Sequence, residues 1–343
     1  MLSARAGLIS WLAAAALAPA LAPAVAPAVA QTVTPATSTA SSATAGYPNR
    51  PIKLVVPIPP GGAPDIAGRV LAEKLALALG QPVVVENRAG SNGNIASELV
   101  ARAPADGYTL LASADSMIAI NPHLYARMPV DTLRELVPVS GLATNEWVLA
   151  VNPSLPVRTL REFIDLAKKS NPVLAYASGG NGSQHQIAME MLKQRAGINL
   201  LHVPYKGGSP ATTAAVAGEV AAVFSGTSSA GQIRAGKLRA LASTGRKRSE
   251  QFPELPTIGE LYPGYELVIW LAIYAPAGTP EAILNRLNAE ANKALALPDL
   301  KARFAAAGGL DPYLTSREDL AAHMRAEYEK FGKLIRAVGI KAD

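Results

Sequence analysis

Tyr176 to Leu192 reads YASGGNGSQHQIAMEML, which sets a serine, a glycine-rich turn and a histidine at the start of a helical pattern. Three chemistries use such residues: a serine nucleophile with its base, a phosphate loop, or a cluster of backbone amides for an anion. The first is poorly served. Ser183 and His185 lie two apart at a helix start, so they point to different faces and do not share a proton. The nucleophile-elbow pattern G-x-S-x-G is approached at Gly226-Thr227-Ser228-Ser229-Ala230 and fails at its last position. A hydrolase using Ser183 or Ser228 is the weakest reading, and the chain is expected not to be an enzyme.

Nucleotide binding fares little better. The P-loop pattern is absent, and Gly180-Asn181-Gly182 begins a G-x-G-x-x-G in which His185 replaces the third glycine. Neither a metal nor a cofactor is expected: no H-E-x-x-H or EF-hand loop occurs, and the four histidines are not at ligand spacing. His202 reads as a strand residue, and His123 and His323 as surface or structural ones.

The amide cluster fits best. Ser183 and Gln186 form S-x-x-Q, a capping box that sets where the helix starts. The preceding glycines let backbone N–H groups turn inward, and the helix N-terminus adds unsatisfied donors and roughly half a positive charge. The same logic applies to Gly61-Gly62 before Pro64, and to Gly207-Gly208 before Ser209, which is expected to cap a helix with Pro210 at its first position. Tyr205 and Lys206 could add a hydroxyl and a charge.

The elements that position these loops repeat. A strand over Ile52–Val56 is followed by the turn PPGGAPD and a helix whose apolar residues recur from Ile66 to Ala78. PVVVEN, a helix from Ile95 to about Arg102, and GYTLLAS complete a β-α-β-α-β unit, which implies a parallel sheet. A second unit starts at WVLAVNP and continues through VLAYA, LLHVPY, EVAAVFS and LRALAST, with helices between. YELVIWLAIYAP then returns to strand, and helices follow over 280–296, 298–307 and 317–338. In such sheets ligands sit beyond the C-terminal strand ends. Turns rich in Gly, Ser or Asp mark those ends here, so the two units are expected to face each other across a cleft.

Bulk composition narrows the setting. Residues 1–30 have one charge, Arg5, then an apolar run and a small-x-small end at Ala28-Val29-Ala30, the layout of an export signal cleaved after Ala30. Residues 31–46 are small, polar and uncharged, and are read as a disordered leader. The remaining body is long enough for about two domains. The net charge of +6 is scattered and aromatics are few, so no nucleic-acid partner is expected. There is no cysteine, hence no thiolate chemistry, disulfide or lipid-modified N-terminal cysteine. The expected location is the periplasm.

The segments YPNRPIKLVVPIPPGGAPD, LGQPVVVENRAGSNGNIAS, ADGYTLL, YASGGNGS, HVPYKGGSPA, AGKLRALAST and LPTIGE occur in this order. By them the chain resembles the Bug family, periplasmic substrate-binding receptors of tripartite tricarboxylate transporters, from Tyr47 to about Ile340. The resemblance implies an α/β, two-lobed Venus-flytrap fold, each lobe a mostly parallel sheet flanked by helices. Lobe 1 would be 47–146 plus 271–343 and lobe 2 would be 147–270. It also implies a monomer that takes a small carboxylate, aliphatic or aromatic, and hands it to membrane permease subunits. The alternative partner is a two-component sensor. Matched onto this chain, the first-lobe contacts are Pro59, Gly61, Gly62 and Asp65, with Asp115 and Ser116 nearby. The second-lobe contacts are Ser178, Asn181, Gly182, Ser183, Tyr205, Ser225 and Thr227. The chain departs from the family at Phe224-Ser225-Gly226, where F-D-N is common, and at Gln186, where the family histidine usually stands. It departs again at GGAPD, where a hydroxyl residue often precedes the aspartate.

Overall fold

The computed structural model describes residues 46–226, 229–249, 252–307 and 309–341. The export signal, all of the leader but Gly46, and Thr227 and Ser228 lie outside the described residues. The first half of the chain runs β1 (Ile52–Val56), α1 (Ala63–Leu79), β2 (Val83–Asn87), α2 (Asn94–Ala101) and β3 (Thr109–Ala114). A π-helical turn (Ser116–Ile120) and α3 (Asn121–Leu124) lead into β4 (Leu136–Val151). Next come α4 (Leu160–Lys169), β5 (Ala175–Ser178), α5 (Gln184–Ala196), β6 (Leu201–Pro204), α6 (Gly208–Ala217) and β7 (Ala222–Gly226). The chain continues as α7 (Ala230–Arg234), β8 (Arg239–Ser243), α8 (Ile258–Leu261) and β9 (Val268–Pro276). It closes with α9 (Glu281–Leu295), α10 (Pro298–Ala306), β10 (Asp311–Pro312) and α11 (Arg317–Val338).

The described strands join in the order β2-β1-β3-β9-β4-β7-β5-β6, with β8 and β10 added along β4. Each repeating unit is parallel within itself: Leu54 of β1 pairs with Val85 and Leu110, and Ala177 of β5 pairs with Val203 and Val223. Between the units, β9 runs antiparallel to both β3 and β4, and β4 antiparallel to β7 and β8. β4 is therefore shared. Leu136 to Glu146 pair with β9, and Trp147 to Val151 pair with β7.

Sequence patterning places the start of this strand at Trp147, eleven residues late. Pro138 and Gly141 break the alternation, and the β4–β9 register shifts beside both of them. Such bulges are where a sheet tolerates proline and glycine.

Both faces of the sheet are covered. On β9, Leu271, Ile273 and Ala275 pack with Leu54 and Leu110 against Leu71 of α1 and Leu287 of α9. The alternate residues Trp270, Ala272 and Tyr274 pack with Val55 and Leu111 against Leu320 and Met324 of α11. Further along α11, Phe331 and Ile335 join the core of the second unit, with Leu149, Tyr176 and Phe224. One helix thus seals both cores. Among the described residues no helix is long and apolar enough to cross a membrane.

Candidate functional site

Asp65 sits in the first turn of α1 and is buried. Its Oδ2 accepts the Gly61 N–H at 2.9 Å, and its Oδ1 accepts from Arg69 Nε at 3.0 Å and Asn87 Nδ2 at 2.8 Å. Burial opposes the charge, but these donors outweigh it and hold the carboxyl below its usual range. The aspartate therefore folds the PPGGAPD loop back onto its own helix and fixes Gly62, the N-cap. Pro59 and Gly61 are exposed and are not on the cavity lining. Ala63 and Pro64 face a cavity of about 520 Å³.

The opposite wall comes from the second unit. Gln184 and His185 open α5, Gly208 and Ser209 open α6, and Ser225 and Gly226 end β7; all line the cavity. Thr212 and Thr213 follow one turn into α6, and Thr212 Oγ1 lies 3.3 Å from Ser225 Oγ. Ser229 and Gln232 add polar groups, Asn145 and Trp147 come from β4, and Ala114, Ile269 and Leu271 make an apolar floor. Three helix N-termini converge on one space, and none of its described lining residues is Asp, Glu, Lys or Arg.

α6 starts two residues before the position expected of it. Gly207, at φ +108°, is the N-cap, no side chain caps this helix, and Ala211 N–H donates to Gly207 O at 3.3 Å. Ser209 is inside the first turn, with its hydroxyl available to the cavity rather than used as a cap. The amides of Gly208 and Ser209 are the unsatisfied donors of that turn.

The SGGNGS loop is wired internally. Gly182 N–H donates to Gln186 Oε1 at 2.7 Å, so the amide nitrogen of Gln186 faces His202 Nδ1 at 3.2 Å. His202 Nδ1 then accepts, and Nε2–H donates to Ser178 Oγ at 2.5 Å. Ser178 in turn donates to Gly180 O at 3.0 Å and accepts the Gly180 N–H at 3.1 Å. Ser183 caps α5 by accepting the Gln186 N–H at 3.4 Å and donates to Gly180 O at 2.6 Å. Only half of the expected capping box forms, because the Gln186 side chain reaches one residue past the cap. Ser178 is fully buried, and Asn181 is exposed. A serine–histidine contact does form, at Ser178–His202, and neither residue is on the cavity lining.

The other sequence-derived residues are dispersed. Tyr205 turns outward to Glu219 at 3.1 Å. Asp115 is buried behind Ala114; its Oδ1 accepts from the Ser116 N–H at 2.8 Å and from Gln184 Nε2, and its Oδ2 has no partner. Burial, with Glu327 nearby, pushes this carboxyl well above its usual range. The Asp115–Gln184 bond links the first unit to the second across the cavity's base. Of the thirteen residues read from sequence, Thr227 lies outside the described residues, Ser225 is on the cavity lining, and Gly62, Asp65, Asp115 and Ser183 are next in sequence to residues that line it.

Sequence reasoning gave no role to Trp147 and set His185 aside. Their rings lie 4.4 Å apart, tilted at 48°. Burial pushes His185 down to about 4, so its imidazole is neutral, and its Nδ1 has no partner. Glycines make the space for it: a Cβ on Gly208 would fall 2.8 Å from Nε2, and one on Gly179 would fall 3.1 Å from Nδ1. Two glycines assigned to ligand approach therefore admit a histidine. Among the described residues no cluster of three or more His, Cys, Asp or Glu is placed to hold a metal ion.

Known proteins resemble this chain in sequence and fold. BugT of Bordetella pertussis is 38% identical over 298 residues, covering 86% of this chain and 91% of BugT. The Rhodopseudomonas palustris protein Rpa4515, solved with adipate, superposes at TM-score 0.76 with 33% identity, covering 86% of this chain and 99% of that one. MatC from the same species, solved with bound malate, gives TM-score 0.71 and 27% identity, covering 84% of this chain and all of MatC. The fold is the mixed α/β type of periplasmic binding proteins. Residues 67–340 match the family described as the tripartite tricarboxylate transporter family receptor, and with its BugT-like sequence the chain belongs to that family of solute-binding proteins.

Proposed function

We propose that this chain is a periplasmic receptor that captures a small carboxylate in the 520 Å³ cavity and presents it to the permease of a tripartite transporter. The observation that carries this reading is the convergence of three helix N-termini on a space with no acidic side chain on its described lining. Amides of Ala63 on one side, and of His185, Gly208 and Ser209 on the other, hold the carboxylate, with the hydroxyls of Ser209, Thr212 and Ser225. Neutral donors and helix dipoles suit an anion without a buried cation to desolvate. Asp65, Ser178, Gly182 and Ser183 frame the site by fixing its loops. The adipate and malate bound to related proteins agree with a carboxylate.

In this reading residues 47–146 with 271–343, and residues 147–270, act as lobes that close on the ligand. The anion gains its full set of donors only when α1 approaches α5 and α6, so binding favours the closed form. The export signal read at residues 1–30 delivers the chain to the periplasm. Isothermal titration of ligand-stripped protein with a panel of mono-, di- and tricarboxylates tests the claim. Saturable binding of at least one acid is expected, with thermal stabilisation of about 2.7 kcal/mol at 100 times its dissociation constant. Silence across the whole panel refutes it.

A further inference from the structure

We propose that the cavity selects an acid with one charged end and a flat, uncharged body, an aromatic monocarboxylate, and that Trp147 and His185 form the wall that selects it. This rests on the carboxylate reading above and sharpens it.

Charge is the first ground. No Lys or Arg side chain is on the described lining, so the positive end of each helix, about half a charge, is the counter-field available there. Those ends cluster at Ala63–Pro64, Gln184–His185 and Gly208–Ser209. Away from them the described lining mixes neutral polar side chains, Asn145, Ser229 and Gln232 among them, with Ala114, Ile269, Leu271 and the two rings. A second carboxylate reaching that side gives up water for neutral side chains alone, with no cation and no helix terminus to meet it.

The ring pair is the second ground. Aromatic faces carry negative charge density, which repels a carboxylate and accepts the edge or offset face of another ring. Trp147 and His185 thus sort the ligand: the anionic end goes to the amides and the uncharged body to the rings. His185 is neutral and supplies no counter-ion. The indole Nε1 of Trp147 lies on the cavity side near Gly226, where its N–H can donate to a ring heteroatom or hydroxyl of the ligand.

The pair is also built in. Besides Gly179 and Gly208, Gly226 keeps clear of it: a Cβ there would lie 3.2 Å from Trp147 Nε1. Bare backbone at three strand or helix ends fixes the two rings. A general apolar pocket would not need that.

The test is titration calorimetry on the full mature chain, stripped of ligand, with benzoate, 4-hydroxybenzoate, adipate, malate and citrate, each repeated on Trp147→Ala and Trp147→Phe. Benzoate or 4-hydroxybenzoate should bind at least about ten-fold more tightly than adipate, malate or citrate. Trp147→Ala should lose about ten-fold or more for the aromatic acids, and Trp147→Phe should stay within about three-fold of the parent. The order of affinities in the parent protein stands even if Trp147→Ala fails to fold. Tighter binding of an aliphatic di- or tricarboxylate, or an unchanged aromatic affinity in a folded Trp147→Ala, overturns the inference but leaves the carboxylate reading standing. No binding of any acid overturns both.

Discussion

On Asp65 a single buried carboxylate gathers a backbone amide, a guanidinium and a side-chain amide, and thereby sets the angle at which α1 aims its N-terminus at the cavity. Removing it leaves those donors without their acceptor in a part-buried place. Asp65→Ala should lower the unfolding free energy by about 2–3 kcal/mol at pH 7, read from urea melts. The pH dependence has a definite sign. The folded carboxyl lies below its ordinary value of 3.8, so its contribution is present above that pH and is lost as pH falls through the lower folded value. The gap between Asp65→Ala and the parent should therefore be constant from pH 5 to 7 and narrow only below about pH 3.8. A gap that widens in acid would mean that Asp65 is held by something other than these three donors. The sequence showed an aspartate at a helix start and a glycine pair before it. It did not show that the one would engage the other, because that depends on Arg69 and on Asn87, which arrives from the next strand.

Elements differ in how openly the sequence declares them. α1, α5 and α11 are marked by an N-terminal Pro or Ser and by a C-terminal Gly in left-handed conformation, and all three follow the sequence reading closely. β4 is not declared. Its first eleven residues mix Pro138, Gly141 and Asn145 with apolar positions, and only pairing with β9, more than a hundred residues away, makes them a strand. The same dependence hid the cavity. Thr212 and Thr213 sit in an alanine-rich helix with little patterning, and Trp147 looks like any large strand residue. The SGGNGS loop was legible as a turn but not as a closed circuit of hydrogen bonds through His202. Gly182 tests that circuit: its φ is +73°, and a Cβ there would meet Leu124 Cδ1 at 2.4 Å. Gly182→Ala strains the backbone and pushes the loop from α3, so a loss of about 2 kcal/mol or more in thermal or urea unfolding is expected. A variant as stable as the parent would show that the loop can reseat away from Leu124.

The whole molecule is held by segments that belong to both units. β4 lies in both parts of the sheet, α11 supplies Met324 to one core and Phe331 to the other, and β9 stands between β3 and β4. The proposed closure around a ligand would therefore be a flexing of shared secondary structure. The two β-α-β repeats read from sequence are joined through β4 and β9 in one continuous sheet, with no linker between them. A chain ending at residue 262 lacks β9 and α11, and it should show no cooperative unfolding transition by circular dichroism, whereas independent lobes would leave a melting second unit.

β9 has a further consequence, for the order of events in the cell. Because it is inserted between β3 and β4, the first unit cannot complete its sheet until Pro276 has been synthesised, although β3 and most of β4 have by then long left the ribosome. Pairing over such a separation is slow. A nascent chain kept open for that interval should stay protease-sensitive until β9 emerges, which limited proteolysis of stalled ribosome-bound chains would read.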